Sequence, residues 1–256
     1  FKKAGILSFR DEGQLIQAAP AFATQPIPRG NRVGIITNTG GPAVIATDVM
    51  VGAGLTLPPL SEKTRTVLTE TLFPEASVNN PVDVLATGPA PHYRACLDAM
   101  MADENFDCVF VNFVTPFFVD NESTAREIVA VSKQQKKPIV CNLMTDRRQW
   151  TEVVKILQDG GVPCFALPGE AARAMTALVD YHNIRARQIG EVRTFSDTDA
   201  GGGRQILAAA KEAGKSSLSA QEVYNILAAY KIPTADWRMA ANAEEAVKAA
   251  AEIGYP

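Results

Sequence analysis

The sequence has no Cys-x-x-Cys pair, no Gly-x-Gly-x-x-Gly or Gly-x-x-x-x-Gly-Lys-Ser/Thr stretch, no Gly-x-Ser-x-Gly turn and only two histidines. Each absence removes a class of chemistry. Without the glycine fingerprints, neither dinucleotide nor P-loop mononucleotide binding is indicated. His92 and His182 stand far apart, so no pair has metal-ligand spacing such as His-x-x-x-His, and no metal site is expected. No serine or cysteine stands in a motif that would place a base beside it. The four cysteines, Cys96, Cys108, Cys141 and Cys164, are scattered, and Cys108 and Cys141 sit in strand-like runs. A chain of this size does not need disulfides for its core, so they read as reduced, buried, cytosolic thiols. Basic residues number 25 against 28 acidic, which gives a net charge of −3 and argues against nucleic-acid partners. No apolar run approaches the ~18 residues that span a bilayer. The start, FKKAGILSF, has no initiating Met, signal peptide or cleavage site. That start and the abrupt end at Gly254-Tyr255-Pro256 suggest a piece of a longer chain.

What is present is an ordinary globular composition, 46% hydrophobic and 21% charged over 256 residues, enough for one α/β domain and a smaller piece. The runs Val33 to Thr37, Cys108 to Val114, Pro138 to Met144 and Pro163 to Leu167 are almost continuously apolar, as strands buried on both faces are. Between them lie segments of helical periodicity. Ser61 followed by Glu62 marks a helix start, and Gly160-Gly161 a helix end before Pro163. Strands alternating with helices imply right-handed βαβ units and a parallel sheet. The expected fold is a three-layer, flavodoxin-like α/β domain. The expected division is 1–30 as a connecting helix and Pro-rich lead-in, 31–190 as the flavodoxin-like domain, 191–214 as a linker, and 215–256 as a helical C-terminal piece. The linker contains the polar stretch EVRTFSDTDAGGG, which ends in three glycines. Ser219 and Glu222 fit a capping box in the last piece.

Two segments can carry chemistry. In GIITNTGGPAVIATDVM, Gly34 to Met50, a strand-like run enters a turn of Asn38, Thr39, Gly40, Gly41 and Pro42, and a helix-like run follows. In an open α/β sheet, ligands sit at the carboxyl ends of strands beside the next helix, whose unpaired N–H groups favour an anion. Gly40 and Gly41 would let the backbone approach closely, Pro42 suits the first helical position, and Asn38 or Thr39 could add a side-chain donor. The bland reading is that the glycines only make the turn and pack helix on strand. In NNPVDVL, Asp83 could bind a ligand group, or only cap a helix or brace a loop. Arg147-Arg148, after a strand end, could clamp phosphate or be solvated loop charges. Trp150 reads as an anchor of its helix.

These residues lead to a resemblance. The opening FKKAGILSF through PRGNRVGIITNTGGPAVIATD, then NNPVD and CVFVNFVTP, resembles the segment of nucleoside-diphosphate-forming acyl-CoA synthetases, relatives of succinyl-CoA ligase, that follows their catalytic-histidine region. The tail SLSAQEVYNILAAYKIPTADWRMAANAEEAVKAAAEIGYP looks like the opening of that family's ATP-grasp module. The resemblance implies interconversion of acid, CoA and ATP with acyl-CoA, ADP and phosphate, the phosphoryl group travelling on a histidine. It implies phosphate-binding roles for Asn38, Thr39, Gly40, Gly41 and the amide of Ala43; Asp83, from its own place in the sequence, is a possible support that could orient the Gly-rich turn. The family's Ser-His-Thr-Gly-type motif is absent, so the nucleophilic histidine is expected upstream of Phe1. The CoA-binding domain would lie further upstream, and the residues gripping ATP and Mg beyond Pro256. Those domains and the phosphohistidine loop are the expected partners, with no nucleic acid or membrane. Oligomerisation stays open, the fragment alone is expected to be inactive, and the location is expected to be cytoplasmic. A competing reading is a non-catalytic CoA- or nucleotide-sensing region of a fused protein acyltransferase. A flavin-binding flavodoxin-like module is disfavoured, since no Ser/Thr-rich phosphate loop is present.

Overall fold

The computed structural model describes residues 1–188, 190–191 and 193–254. It divides into two compact units, Phe1–Gln188 and Ile189–Pro256. Ile189, Val192, Tyr255 and Pro256 lie outside the described residues, so the 191–214 linker and the GYP end are described only in part.

The first unit is built on one six-stranded sheet. Its strands are β1 (Val33–Thr37), β2 (Ser77–Val78), β3 (Val82–Asp83), β4 (Cys108–Val114), β5 (Ile139–Met144) and β6 (Cys164–Phe165). The order across the sheet is β2-β3-β1-β4-β5-β6. All neighbours pair parallel except β2 with β3, so the sheet is mixed rather than wholly parallel. With the five parallel strands alone numbered by chain position, the order is 2-1-3-4-5, that of a flavodoxin-like doubly wound sheet. Its switch point lies between β1 and β4.

Helices cover both faces. Helices α1 (Glu12–Thr24), α2 (Gly40–Gly52) and α7 (Pro168–Ala186) bury Ala21, Ala46, Met50, Met175 and Leu178 against Val33, Ile35, Phe110 and Val140. On the other face lie α3 (Glu62–Thr71), α4 (Ala90–Ala102), α5 (Asn121–Ser132) and α6 (Thr151–Asp159). They pack Leu68, Leu97, Met100, Ile128 and Leu157 onto Val109, Val111, Phe113 and Cys141. Strand β4 thus sends alternate apolar side chains into two cores, which is why its sequence shows no polar alternation. Gly34 is closely packed: a β-carbon there would stand 2.9 Å from Met100 Sδ and 3.2 Å from Phe106 Cγ, so both side chains would have to give. Trp150 packs at the edge of the second core, at the start of α6.

Side-chain amides complete the main-chain pairing where strands run short. Asn80 accepts from Ile35 N (2.9 Å) and donates to Val33 O (2.8 Å) and Pro58 O (2.9 Å). It stands in for a strand neighbour along the part of β1 that the two-residue β3 does not reach; the Asn80–Pro81 peptide is cis. Gln25 does the same at the start of β5, accepting from Ile139 N (2.9 Å) and donating to Gly161 O (2.7 Å). Pro138 and Pro163 fall just outside β5 and β6. They offer their carbonyls to Val109 N and Cys141 N but have no N–H for the ladder, so both strands start one residue later than the apolar runs suggest.

At the amino ends of the strands, Arg32 and the nearly buried Asp107 form a two-pronged ion pair, Nε to Oδ2 and Nη2 to Oδ1, both 2.8 Å. Burial by itself would raise the Asp107 carboxyl, but the Arg32 guanidinium and main-chain N–H outweigh it and hold it below the usual aspartate range. Because the folded value is depressed, this stabilisation is present above the unfolded value, about 3.9, and is lost as pH falls through the folded one. Urea unfolding from pH 6 to pH 2 is expected to show a steep loss of stability below about pH 4. Asp107→Asn should make that acid limb shallower, while lowering stability at pH 6 by about 1.5–3 kcal/mol.

The second unit contains α8 (Ala200–Glu212), α9 (Ala220–Ala229) and α10 (Ala243–Ile253). The three glycines expected to end a linker instead form the first turn of α8. Asp199 Oδ1 accepts from Gly202 N (2.8 Å), and a β-carbon on Gly203 would meet the Tyr230 ring at 2.7 Å. Close approach of the Asp199 carboxylate to Gly202 and of the Tyr230 ring to Gly203 therefore favours glycine at those two positions. The capping box at Ser219 and Glu222 is present, and Tyr224 stacks on Trp237 with ring centroids 5.0 Å apart.

Candidate functional site at the sheet switch point

Strand β1 ends at Thr37, and α2 begins three residues later at Gly40, with Thr39 as its N-cap. Pro42 is therefore the third helical residue rather than the first, still within the turn whose amides have no intrahelical acceptor. This turn sits at the carboxyl end of β1 where it neighbours β4, the crevice in which doubly wound sheets take their ligands.

The turn is held from below. Thr37 Oγ1 accepts from Thr39 N (3.0 Å) and donates to Thr39 O (2.6 Å). Asn112 on β4 donates from Nδ2 to Thr37 Oγ1 (2.9 Å) and Thr39 O (3.2 Å). Asn38 bridges the crevice itself: its Oδ1 accepts from Val114 N (2.9 Å) and its Nδ2 donates to Val114 O (3.0 Å). The Asn38 side chain, a candidate ligand donor in the sequence, is thus committed to the end of β4. Asn112 was not singled out from sequence, although a lone polar residue inside CVFVNFV is a legible signal.

From above, the turn is open. Thr39 makes no side-chain cap bond, and the first turn of α2 carries no acidic residue. By contrast Asp11, Ser61 and Asp120 cap α1, α3 and α5 with their side chains. Gly40 and Gly41 are exposed, neither has positive φ, and a β-carbon on either would meet nothing within 4 Å. Ala43 is only 2% exposed, so its amide lies deeper than those of the glycines. First-turn amides without an intrahelical acceptor, the positive end of the helix dipole and the absence of side-chain bulk are the features that favour an anion at a helix N-terminus.

The other candidates lie apart from this arrangement or serve the frame. Asp83, at the carboxyl end of β3, accepts from Leu85 N (2.9 Å) and braces a turn in which Leu85 has φ +66°. His92, buried in the first turn of α4, stands edge-on to Phe73, and burial lowers its pKa. His182 lies in α7. Arg147 and Arg148 are exposed in the loop after β5. Around the same carboxyl edge, Val44, Ile45, Phe117, Phe118, Met144 and Leu167 are exposed apolar side chains. Among the described residues, no three His, Cys, Asp or Glu side chains come together to hold a metal ion.

A family model described as a Ligase-CoA domain matches residues 33–189, and one described as an ATP-grasp domain matches residues 209–256. A 4-hydroxybutyrate–CoA ligase (ADP-forming) of Nitrosopumilus maritimus is 29% identical over 256 residues, covering 100% of this chain and 36% of its own length. The alpha subunit of an acetate–CoA ligase (ADP-forming) II of Pyrococcus furiosus is 34% identical over 194 residues, covering 74% of this chain and 41% of its own. This chain therefore spans well under half the length of either relative. Among solved structures, a Pyrococcus horikoshii protein superposes with TM-score 0.68 at 32% identity, over 73% of this chain and 43% of its own. An acetyl-coenzyme A synthetase 1 of Candidatus Korarchaeum cryptofilum, in complex with phosphate and ADP, superposes with TM-score 0.67 at 26% identity, over 73% of this chain and 40% of its own.

Proposed function

The chain belongs to the Ligase-CoA domain family, and from that premise we propose that it is the central part of an ADP-forming acyl-CoA synthetase that seats a transferred phosphoryl group on the first turn of α2. The full-length enzyme would convert an acid, CoA and ATP to acyl-CoA, ADP and phosphate by way of a phosphohistidine. In this reading the main-chain amides of Gly40, Gly41 and Ala43 receive phosphoryl oxygens and the Thr39 hydroxyl adds a donor. Asn38 positions the turn through Val114, and Asp83 supports the neighbouring β3 loop. A phosphoryl dianion is the kind of charge that fixed helix-end amides stabilise without reorganising.

The observation that carries the reading is the open space above two glycines that neither backbone conformation nor internal packing requires. Glycine costs a helix stability relative to alanine, so its use twice in an exposed first turn is best accounted for by something outside this chain approaching the main chain. The apolar side chains around the same edge suit covering by another domain of the same enzyme, the one bringing the phosphohistidine loop. ATP supplies the phosphoryl group and CoA the thiol. The residues that grip them, and Mg with its carboxylate ligands, are assigned in this reading to the flanking CoA-binding and ATP-grasp domains. No described helix is long and apolar enough to cross a membrane, and a cytoplasmic location is part of the proposal. No observation favours the fused-acyltransferase reading.

Titration of the isotope-labelled chain with inorganic phosphate tests the site. The amides of Gly40, Gly41 and Ala43 are expected to shift together and to saturate, with sulfate competing. Saturation elsewhere with these three unmoved would sink the assignment.

A further inference from the structure

Two of the four cysteines meet on the far side of the sheet from α2. Cys141 on β5 and Cys164 on the edge strand β6 are directly paired in the parallel register. Both side chains face the core that α4, α5 and α6 cover. Register neighbours on adjacent strands are roughly 4.8 Å apart, inside the roughly 4.4–6.8 Å between α-carbons that a disulfide spans. The pair is also asymmetric. Cys141 is fully buried, whereas Cys164 is partly exposed at the sheet edge.

We infer that Cys141 and Cys164 form a peroxide-reactive dithiol, with Cys164 as the attacking sulfur and Cys141 as the resolving one. The Cys164 thiolate attacks one oxygen of a hydroperoxide, breaking the O–O bond. Cys164 becomes a sulfenic acid, and the hydroxide or alkoxide that is expelled takes up the proton that the thiol gave up and leaves as water or an alcohol. The Cys141 sulfur then attacks the Cys164 sulfur and expels water, taking up its proton, so that one hydroperoxide is reduced as the two thiols are oxidised to a disulfide. Reactivity follows thiolate character and access. The Cys141 thiol and the nearby Arg147 hold the Cys164 thiol below its ordinary pKa, whereas burial pushes Cys96 up to about 12 and raises Cys108 as well. Cys96 and Cys108 are buried internal controls on the same chain.

The test treats the full chain with hydrogen peroxide under native conditions, blocks remaining thiols and maps peptides by mass spectrometry. The expected result is a linked pair of peptides carrying Cys141 and Cys164, reversed by dithiothreitol. Loss of the Cys164 thiol should run about tenfold or more ahead of Cys96 and Cys108. In Cys141→Ala the reaction should stop at a Cys164 sulfenic acid that dimedone traps, and in Cys164→Ala peroxide should leave Cys141 as a free thiol. The wild-type peptide map decides the matter if either variant fails to fold. Absence of the linked pair, or oxidation of all four cysteines at one rate, would overturn the inference.

Discussion

Gly41→Val is expected to abolish the phosphate response of α2 while leaving the fold as stable as before. The two effects separate because they have different causes. A β-carbon at position 41 meets nothing within 4 Å inside the chain, and the backbone there is not left-handed, so the substitution brings neither clash nor strain. Valine is a better helix former than glycine, so stability should stay within about 0.5 kcal/mol or rise, a change in melting temperature of about 1–2 °C for a domain of this size. The branched side chain would, however, project into the space above the first-turn amides. Chemical shifts of Gly40 and Ala43 should no longer respond to phosphate. On the proposed function, phosphohistidine turnover of the full-length protein should fall by about 10²–10³-fold, the scale set by loss of a preorganised oxyanion donor. Retention of the phosphate response in a folded Gly41→Val chain would show that the glycines serve something else.

Asn80→Ala is expected to be strongly destabilising although the residue is only partly buried. Three hydrogen bonds disappear at once, and the Ile35 amide and the Val33 carbonyl lose their side-chain partner beside the central strand. At about 1 kcal/mol for each net bond, the loss is about 3 kcal/mol. That corresponds to about 6–12 °C in melting temperature. Asn80→Asp should do no better, since a carboxylate cannot donate to the carbonyls of Val33 and Pro58 and would repel them. Thermal unfolding of the two variants beside wild type checks both statements. Wild-type stability in Asn80→Ala would mean that water replaces the amide without penalty.

The parts of the fold that were legible in the sequence are those whose burial leaves a compositional trace. VGIIT and CVFVNFV are apolar on both faces because both faces are covered, and their limits match β1 and β4 residue for residue. The Ser61 and Ser219 caps were readable because a cap is local chemistry. Strands β2 and β3 were not, since two residues carry no period; β3 is defined by pairing with β1, over 40 residues away, and β2 only by pairing with β3. The candidate site was half legible: the Gly-rich turn after β1 could be read from sequence, whereas the commitment of Asn38 to Val114 is a tertiary fact that no local pattern encodes. Glycines 201–203 show the same limit from the other side: chain entropy alone favours a loop, and Asp199 and Tyr230 together override it.

Both margins of the sheet, β2 and β6, are strands of only two residues. A growing intermolecular β-ladder needs a row of free main-chain groups to template on, and two residues offer almost none. A chain with an exposed apolar rim would otherwise be a poor candidate for concentrated storage. Blunted margins of this kind direct any self-association toward side-chain contacts, which disperse on dilution, and away from fibre-forming strand addition.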